Sequence, residues 1–298
     1  MNLFLYLLVV LIWGTTWIAI VLQQGAVPVA VSIFWRFALA SALLWLILWG
    51  SRRLRPLSLR DHGFCLLQGC CVFGFNFYCF YTASHSINSG LESVIFSMAV
   101  LFNAINARLF FGQQIPGRFW PAAGLGLLGM ICLFWPELRA WHPALLPGVG
   151  LSLLGTYGFS LGNMLSARHQ RQGLDILSTN ARAMLYGTGV MGALAWAQGA
   201  DFTPELSLTY LGALGYLAVF GSVIGFGAYF ALVGRIGASQ AAYSTLLFPL
   251  VALGVSTLFE GYVWHANAVL GLALILMGNG VMFIPASAFG RGRRAVAA

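Results

Sequence analysis

Ten apolar runs, each about as long as a lipid bilayer is thick, follow one another along this 298-residue chain. A hydrocarbon core about 30 Å thick takes roughly 20 residues of helix at 1.5 Å rise per residue. The runs fall at roughly 3–22, 28–50, 63–83, 90–111, 118–135, 146–166, 174–198, 208–232, 239–258 and 266–284. Hydrocarbon offers no partner to backbone N–H and C=O groups, so such runs are expected as helices, which pair those groups internally. The expected fold is an all-α integral membrane protein with ten transmembrane helices. With 60% hydrophobic and 7% charged residues, the chain has no polar segment long enough for a soluble enzyme domain. The first run lacks a basic flank and a small-residue cleavage site, so it reads as a retained helix.

The few charges set the expected topology. Fifteen Arg, no Lys and seven acids give a net charge of +8. Placing the N-terminus in the cytoplasm puts twelve arginines on that side (Arg52, Arg53, Arg55, Arg60, Arg108, Arg118, Arg168, Arg171, Arg235, Arg291, Arg293 and Arg294). The opposite side carries Arg139 with Glu137, Asp201, Glu205 and Glu260. This bias predicts both termini inside, with residues 286–298 as a basic cytoplasmic tail. Arginines placed between apolar runs are topology signals, so no nucleic-acid partner is expected. Cys65, Cys70, Cys71, Cys79 and Cys132 lie in apolar runs without metal-type spacing, the five histidines fall in or beside loops, and no Walker, HExxH or triad pattern occurs. No enzyme activity, metal or cofactor is expected.

Shifting the chain on itself by 149 residues aligns Ser89–Pro136 with Ala238–Pro285 without a gap. The match pairs Leu101 with Leu250, Leu109-Phe110 with Leu258-Phe259, Gly112 with Gly261, Gly129 with Gly278 and Pro136 with Pro285. Upstream, Gly74–Tyr78 matches Gly225–Tyr229, Arg36 matches Arg182, and Gly14-Thr15 matches Gly155-Thr156. The chain thus divides into five-helix units at 1–136 and 146–285. Five is odd, so the second unit begins on the opposite side of the membrane. The expected architecture is two inverted five-helix repeats, an arrangement of secondary transporters with a substrate site between the halves near the midplane.

These features resemble a known family. Trp13-Gly14-Thr15-Thr16-Trp17 in the first helix, an Arg early in the second helix of each unit (Arg36, Arg182) and Leu258-Phe259-Glu260-Gly261 closing the ninth look like the EamA-type drug/metabolite transporters. Within that superfamily the chain is most similar to aromatic amino-acid exporters of the YddG type. It departs from the pattern at Phe111, where the family usually has the Glu that the second unit keeps at Glu260, and at Val100 opposite Pro249. The resemblance implies export of small metabolites across a bacterial inner membrane, through a cavity between helices 1, 3, 4, 6, 8 and 9.

Arginine at membrane depth costs about 2.5–3.5 kcal/mol on insertion scales, so Arg36 and Arg182 should face protein or a wet cavity. Either could clamp a carboxylate, but both units keep the residue whereas a substrate needs one clamp, and the structural reading is preferred. Trp17, Tyr78, Tyr81, Tyr157, Tyr229 and Tyr243 place amphipathic rings on inner helices, where they either pack or line the cavity; a tyrosine hydroxyl in hydrocarbon needs a partner. Asn76, Asn163 and Ser244 fall in the same spans, as cavity groups or as interhelical glue. Together these nine are the candidate substrate-binding residues. Pro249, inside the ninth run, is a candidate hinge that frees the Thr245 carbonyl, or a static kink. Trp45, Trp49, Trp120, Trp135, Trp141, Trp196 and Trp264 read as interfacial anchors.

Glu92, a few residues into the fourth run, is the deepest acid and a candidate gating charge. Without an acid at mid-depth, the chain favours zwitterionic or neutral cargo moved by facilitated rather than tightly proton-coupled transport. The expected function is alternating-access export of small amphipathic metabolites, aromatic amino acids first. The alternative is a multidrug or quaternary-cation exporter, with methyl viologen as the type of cargo and cation–π contacts holding it. The partners expected are a small-molecule substrate and the lipid bilayer, with no obligatory protein partner.

Overall fold

The computed structural model describes residues 2–115, 117–135 and 145–281, and within them every regular element is helical. The basic tail at 286–298 and Trp141 lie outside the described residues. Among the described residues, ten helical segments follow the ten apolar runs. They are α1 (Asn2–Leu22), α2 (Val29–Gly50), α3 (Leu59–Ala83), α4 (Ser89–Phe111), α5 (Phe119–Leu133), α6 (Leu145–Arg171), α7 (Ile176–Ala197), α8 (Leu208–Ile236), α9 (from Ala238 to Phe259) and α10 (Ala266–Val281). Six of them, α1, α2, α3, α4, α6 and α8, are long and apolar enough to cross a membrane. Several starts follow from local chemistry: Ser58, Asn88, Asp175 and Ser207 each accept a hydrogen bond from the N–H three residues on, satisfying a free donor of the first turn. The N-terminal end of the α9 segment is set by Gly237, whose φ of 86° lies where side chains other than glycine are strained.

Four of the ten segments are not uniform α-helix, which the hydrophobic pattern did not indicate. α3 and α8 each contain eight residues of π-helix, Gly69–Asn76 and Leu217–Ile224. In the second, the Ser222 hydroxyl donates to the Leu217 carbonyl five residues back. α4 is interrupted by a turn at Ser97 and Met98, and α9 runs through a 3-10 stretch, Ala242–Leu246, before its α-helix, Phe248–Phe259, begins. Pro249 is therefore the second residue of an α-helix, where its missing N–H costs nothing, rather than a kink inside a continuous one. At the α4 interruption the Asn279 amide of α10 donates to the Ser97 carbonyl and hydroxyl (3.3 and 3.2 Å). Irregular backbone at this depth persists where protein groups or a cavity receive it.

Side chains divide as a bilayer requires. Leu3, Leu46, Trp49, Trp120, Trp196 and Leu258 are exposed, whereas Arg36, Phe73, Phe159, Tyr229 and Phe248 are fully buried. Trp45 departs from its expected role as an anchor: it turns inward and donates to the Ala181 carbonyl at 3.2 Å. One core runs through α1, α2, α3, α4, α6, α7, α8 and α9, and a second joins α4, α5, α9 and α10 with the start of α6.

Helices α5 and α10 touch backbone to backbone. A Cβ on Gly129 would lie 2.7 Å from the Gly271 carbonyl oxygen, and one on Gly278 would lie 2.7 Å from the Ala122 carbonyl oxygen. Small residues let helices approach this closely and gain dispersion energy that lipid cannot supply. Gly129→Val should therefore cost about 1–3 kcal/mol, read as a lower temperature for loss of the monodisperse peak in detergent. Gly254→Ala, with open space around its Cβ, should leave that temperature unchanged or slightly raise it.

Candidate functional site

A cavity of about 40 Å³ lies where the helices converge. It is lined by Trp13, Thr16, Trp17 and Ile20 of α1, Arg36 of α2, Asn76, Phe77 and Phe80 of α3, Phe96 of α4, Phe159 of α6, Phe226 of α8 and Phe248 of α9. The rings meet mostly edge to face: Trp17 is 5.0 Å from Phe80 and 5.4 Å from Phe96, and Trp13 is 4.7 Å from Phe226. Ligand pockets for small molecules usually hold about 300–1,000 Å³, so this cavity admits water but not an aromatic metabolite.

The π segments shape the walls. That of α3 ends on Asn76, whose amide donates to the Gly155 carbonyl of α6 at 2.8 Å. That of α8 presents the Gly221 carbonyl to the Trp13 indole N–H at 3.0 Å and the Ser222 hydroxyl to Nε of Arg36 at 3.1 Å. Such insertions are frequent at functional sites because they turn backbone groups out of the helical ladder.

Polar plugs separate the cavity from wider pockets on both sides. Toward the α1–α2 loop, Arg36 donates to the Tyr81 hydroxyl (3.4 Å), which donates to Oε1 of Gln23 (2.7 Å). Beyond them lies a pocket of about 240 Å³ lined by Gln23, Gln24, Ser32, Tyr81 and His85. In the other direction Asn163 donates to the Tyr229 hydroxyl (3.1 Å) and to Oδ1 of Asn103 (3.3 Å), and Ser160 donates to the same Asn103 oxygen (2.7 Å). One turn further, Ala107, Met164, Ala167, Arg171 and Val233 line a pocket of about 520 Å³.

Of the nine candidate binding residues, Trp17 and Asn76 line the cavity and Tyr81 borders it. Asn163 and Tyr229 form the second plug, with the Tyr229 ring 4.9 Å from Trp13. Ser244 is buried at the α9 irregularity and bonds the Ala241 carbonyl. Tyr78 and Tyr157 lie elsewhere: Tyr78 accepts from Gln198 at 3.4 Å, and Tyr157 packs edge-on against Phe102. The Tyr243 side chain lies outside the described residues. Both terminal nitrogens of Arg182 go to backbone, donating to the Ser178 and Arg55 carbonyls at 2.9 and 2.7 Å, while its Nε is buried without a partner among the described residues. Glu92 is buried in the first turn of α4, away from the cavity, near Glu260, which accepts from the Ser89 N–H and hydroxyl. The lining phenylalanines and Gln23 were missed. Among 23 Phe in an apolar chain nothing local marks the six that line a cavity, whereas Gln23, a polar residue ending an apolar run, was a usable signal.

The profile described as the EamA-like transporter family matches residues 1–135 and 146–284, nearly the whole chain. The chain belongs to the EamA-like transporter family. The two matched stretches lie one in each half of the chain. Proteins similar to this chain include protein PagO of Salmonella typhimurium, 24% identical over 92% of this chain and 90% of that protein. They also include the uncharacterized inner membrane transporter YedA of Escherichia coli K12, 28% identical over 93% and 90% of the two chains. A protein of the same strain described as a probable amino-acid metabolite efflux pump is 25% identical over 92% of each chain. A solved structure whose description states no function superimposes with a TM-score of 0.69 over 98% of both chains at 15% identity, a likeness of fold.

Asn103→Ala removes the acceptor shared by Ser160 and Asn163. Labelling of a cysteine introduced at Thr16 by a water-soluble thiosulfonate, in a background lacking the native cysteines, should then speed up about tenfold, the effect of losing one or two hydrogen bonds.

Proposed function

We propose that this EamA transporter exports small amphipathic metabolites, aromatic amino acids first among them, across a bacterial inner membrane by alternating access. The observation that carries the reading is the central cavity, lined from both halves of the chain and closed toward a wider pocket on each side. Opening one plug at a time exposes such a site alternately to the two faces.

The helix contacts support two inverted repeats within a ten-span protein. The 149-residue shift that carries Gly129 to Gly278 carries Ala122 to Gly271, so the contacts Gly129–Gly271 and Ala122–Gly278 are equivalents of each other across an antiparallel crossing. The crossing of α2 and α7 behaves likewise. Trp45 meets Ala181 near one end, and Phe34 meets Gly192 near the other. A two-fold axis in the membrane plane produces reciprocal contacts of this kind. Under this reading the larger pocket, beside Arg108, Arg171 and Arg235, faces the cytoplasm, and both termini lie on that side.

The lining suits an aromatic amino acid. Phenyl and indole edges receive an aromatic side chain, and Asn76 keeps its Oδ1 without a partner among the described residues, an acceptor for an ammonium group. The relative described as a probable amino-acid metabolite efflux pump adds weight to amino-acid cargo. In proteoliposomes preloaded with phenylalanine or tryptophan, the protein should drive saturable counterflow of the labelled compound without a proton gradient. Trp17→Ala should lower the rate about tenfold, the combined worth of stacking and burial, while Tyr157→Ala leaves it unchanged. Absence of counterflow in folded protein overturns the amino-acid assignment, and equal rates in both variants overturn the site.

A further inference from the structure

The two repeat-related arginines have different surroundings, and the difference identifies a ligand. Arg182 faces carbonyl oxygens: two of its nitrogens donate to Ser178 and Arg55. Arg36, only 1% exposed, has no carbonyl or carboxylate acceptor among the described residues. Its Nε donates to the Ser222 hydroxyl, one terminal nitrogen reaches the Tyr81 hydroxyl at the limit of hydrogen bonding, and its plane lies 4.2 Å from the Phe77 ring centroid. The other terminal nitrogen, NH2, has no hydrogen-bond partner among the described residues. It lies where α8 is bare, since a Cβ on Gly221 would come within 3.3 Å of it.

The sole ion pair among the described residues, Arg168 with Asp61, lies at the end of α3 and α6. The Arg36 charge is therefore buried without a counter-charge, an arrangement that is costly unless something else supplies one. A second donor in the same wall is also unmet: the Trp17 indole N–H is buried without a partner. Two unmatched donors, one of them cationic, in a cavity of phenyl rings leave room for one kind of complement, an oxyanion attached to an aromatic body. A guanidinium fork matches a carboxylate.

We propose that Arg36, with the Trp17 indole N–H, is the anchor for the substrate carboxylate, so that the carrier selects aromatic carboxylates and rejects aromatic amines. Arg182 is its structural counterpart in the second repeat, tying α7 to the α2–α3 loop. The proposal rests on the carrier reading above but not on the amino group of the cargo. It also opposes quaternary cations as cargo, because an unpaired guanidinium repels them.

The test is competition against counterflow of labelled phenylalanine in proteoliposomes. N-acetylphenylalanine and 3-phenylpropionate, which keep the carboxylate, should compete, while phenethylamine, which keeps the amine, should fail at about tenfold higher concentration, the discrimination expected when a charged hydrogen bond is lost. Arg36→Gln should raise the half-saturating phenylalanine concentration about tenfold or more and remove the preference over phenethylamine. Arg36→Lys, which keeps the charge but not the fork, should restore part of the preference. A merely structural arginine would lower the maximal rate without changing the order of competitors. Phenethylamine competing as well as phenylalanine with the unmodified protein overturns the anchor whether or not the variants fold. If phenylalanine is not carried but labelled 3-phenylpropionate is, the amino-acid assignment falls and the anchor stands. If methyl viologen is carried and no carboxylate competes, both fall.

Discussion

Polar groups placed in hydrocarbon must find partners inside the protein, and the architecture of this transporter depends on that requirement. It makes the chain helical, because a helix pairs its own backbone. It also places two departures from regular α-helix beside groups that receive them. The π segment of α8 turns out the Gly221 carbonyl and the Ser222 hydroxyl, which take the Trp13 indole and the Arg36 guanidinium. The interruption of α4 at Ser97 is met by Asn279 of α10. At α8, irregularity and polarity therefore occur together beside the central cavity.

The same requirement gives the molecule the means to move. Hydrogen bonds of the two plugs join different helices: Gln23, Arg36 and Tyr81 link α1, α2 and α3, and Asn103, Asn163 and Tyr229 link α4, α6 and α8. Each such bond is worth about 1 kcal/mol, so a plug can open at a cost that substrate contacts can offset. Meanwhile α5 and α10, held by glycine backbone contacts, form a stiff pair outside the cavity. A rigid pair beside weakly latched helices suits a carrier that rocks between two forms.

Much of this was legible in the sequence because the signals were long. Ten apolar runs, the 149-residue register and the arginine pattern each extend over many residues, and the helices follow the runs to within a few residues. The site was legible only in part. Trp17 and Asn76 stood out by type and spacing and do line the cavity, but Tyr78 and Tyr157, chosen on the same grounds, face other neighbours. Hydrophobic periodicity specifies that a residue is inside, not which interior surface it meets. The π segments shift the facing of α3 and α8 by an extra residue per turn, and no propensity rule marks them. The two arginines show the same limit: matched by the repeat register, they are separated by what surrounds them, carbonyls for Arg182 and an unfilled wall for Arg36.

The central claim is that one cavity is exposed alternately at two ends. Pulsed electron–electron distance measurements with spin labels on two pairs test it most directly. One pair, His85 with Thr203, spans the end beyond Gln23; the other, Gln113 with Arg235, spans the end beyond Asn103. Each pair should give two distance populations, and conditions that lengthen one should shorten the other. A single unchanging distance at both ends, or lengthening at both together, would contradict the account.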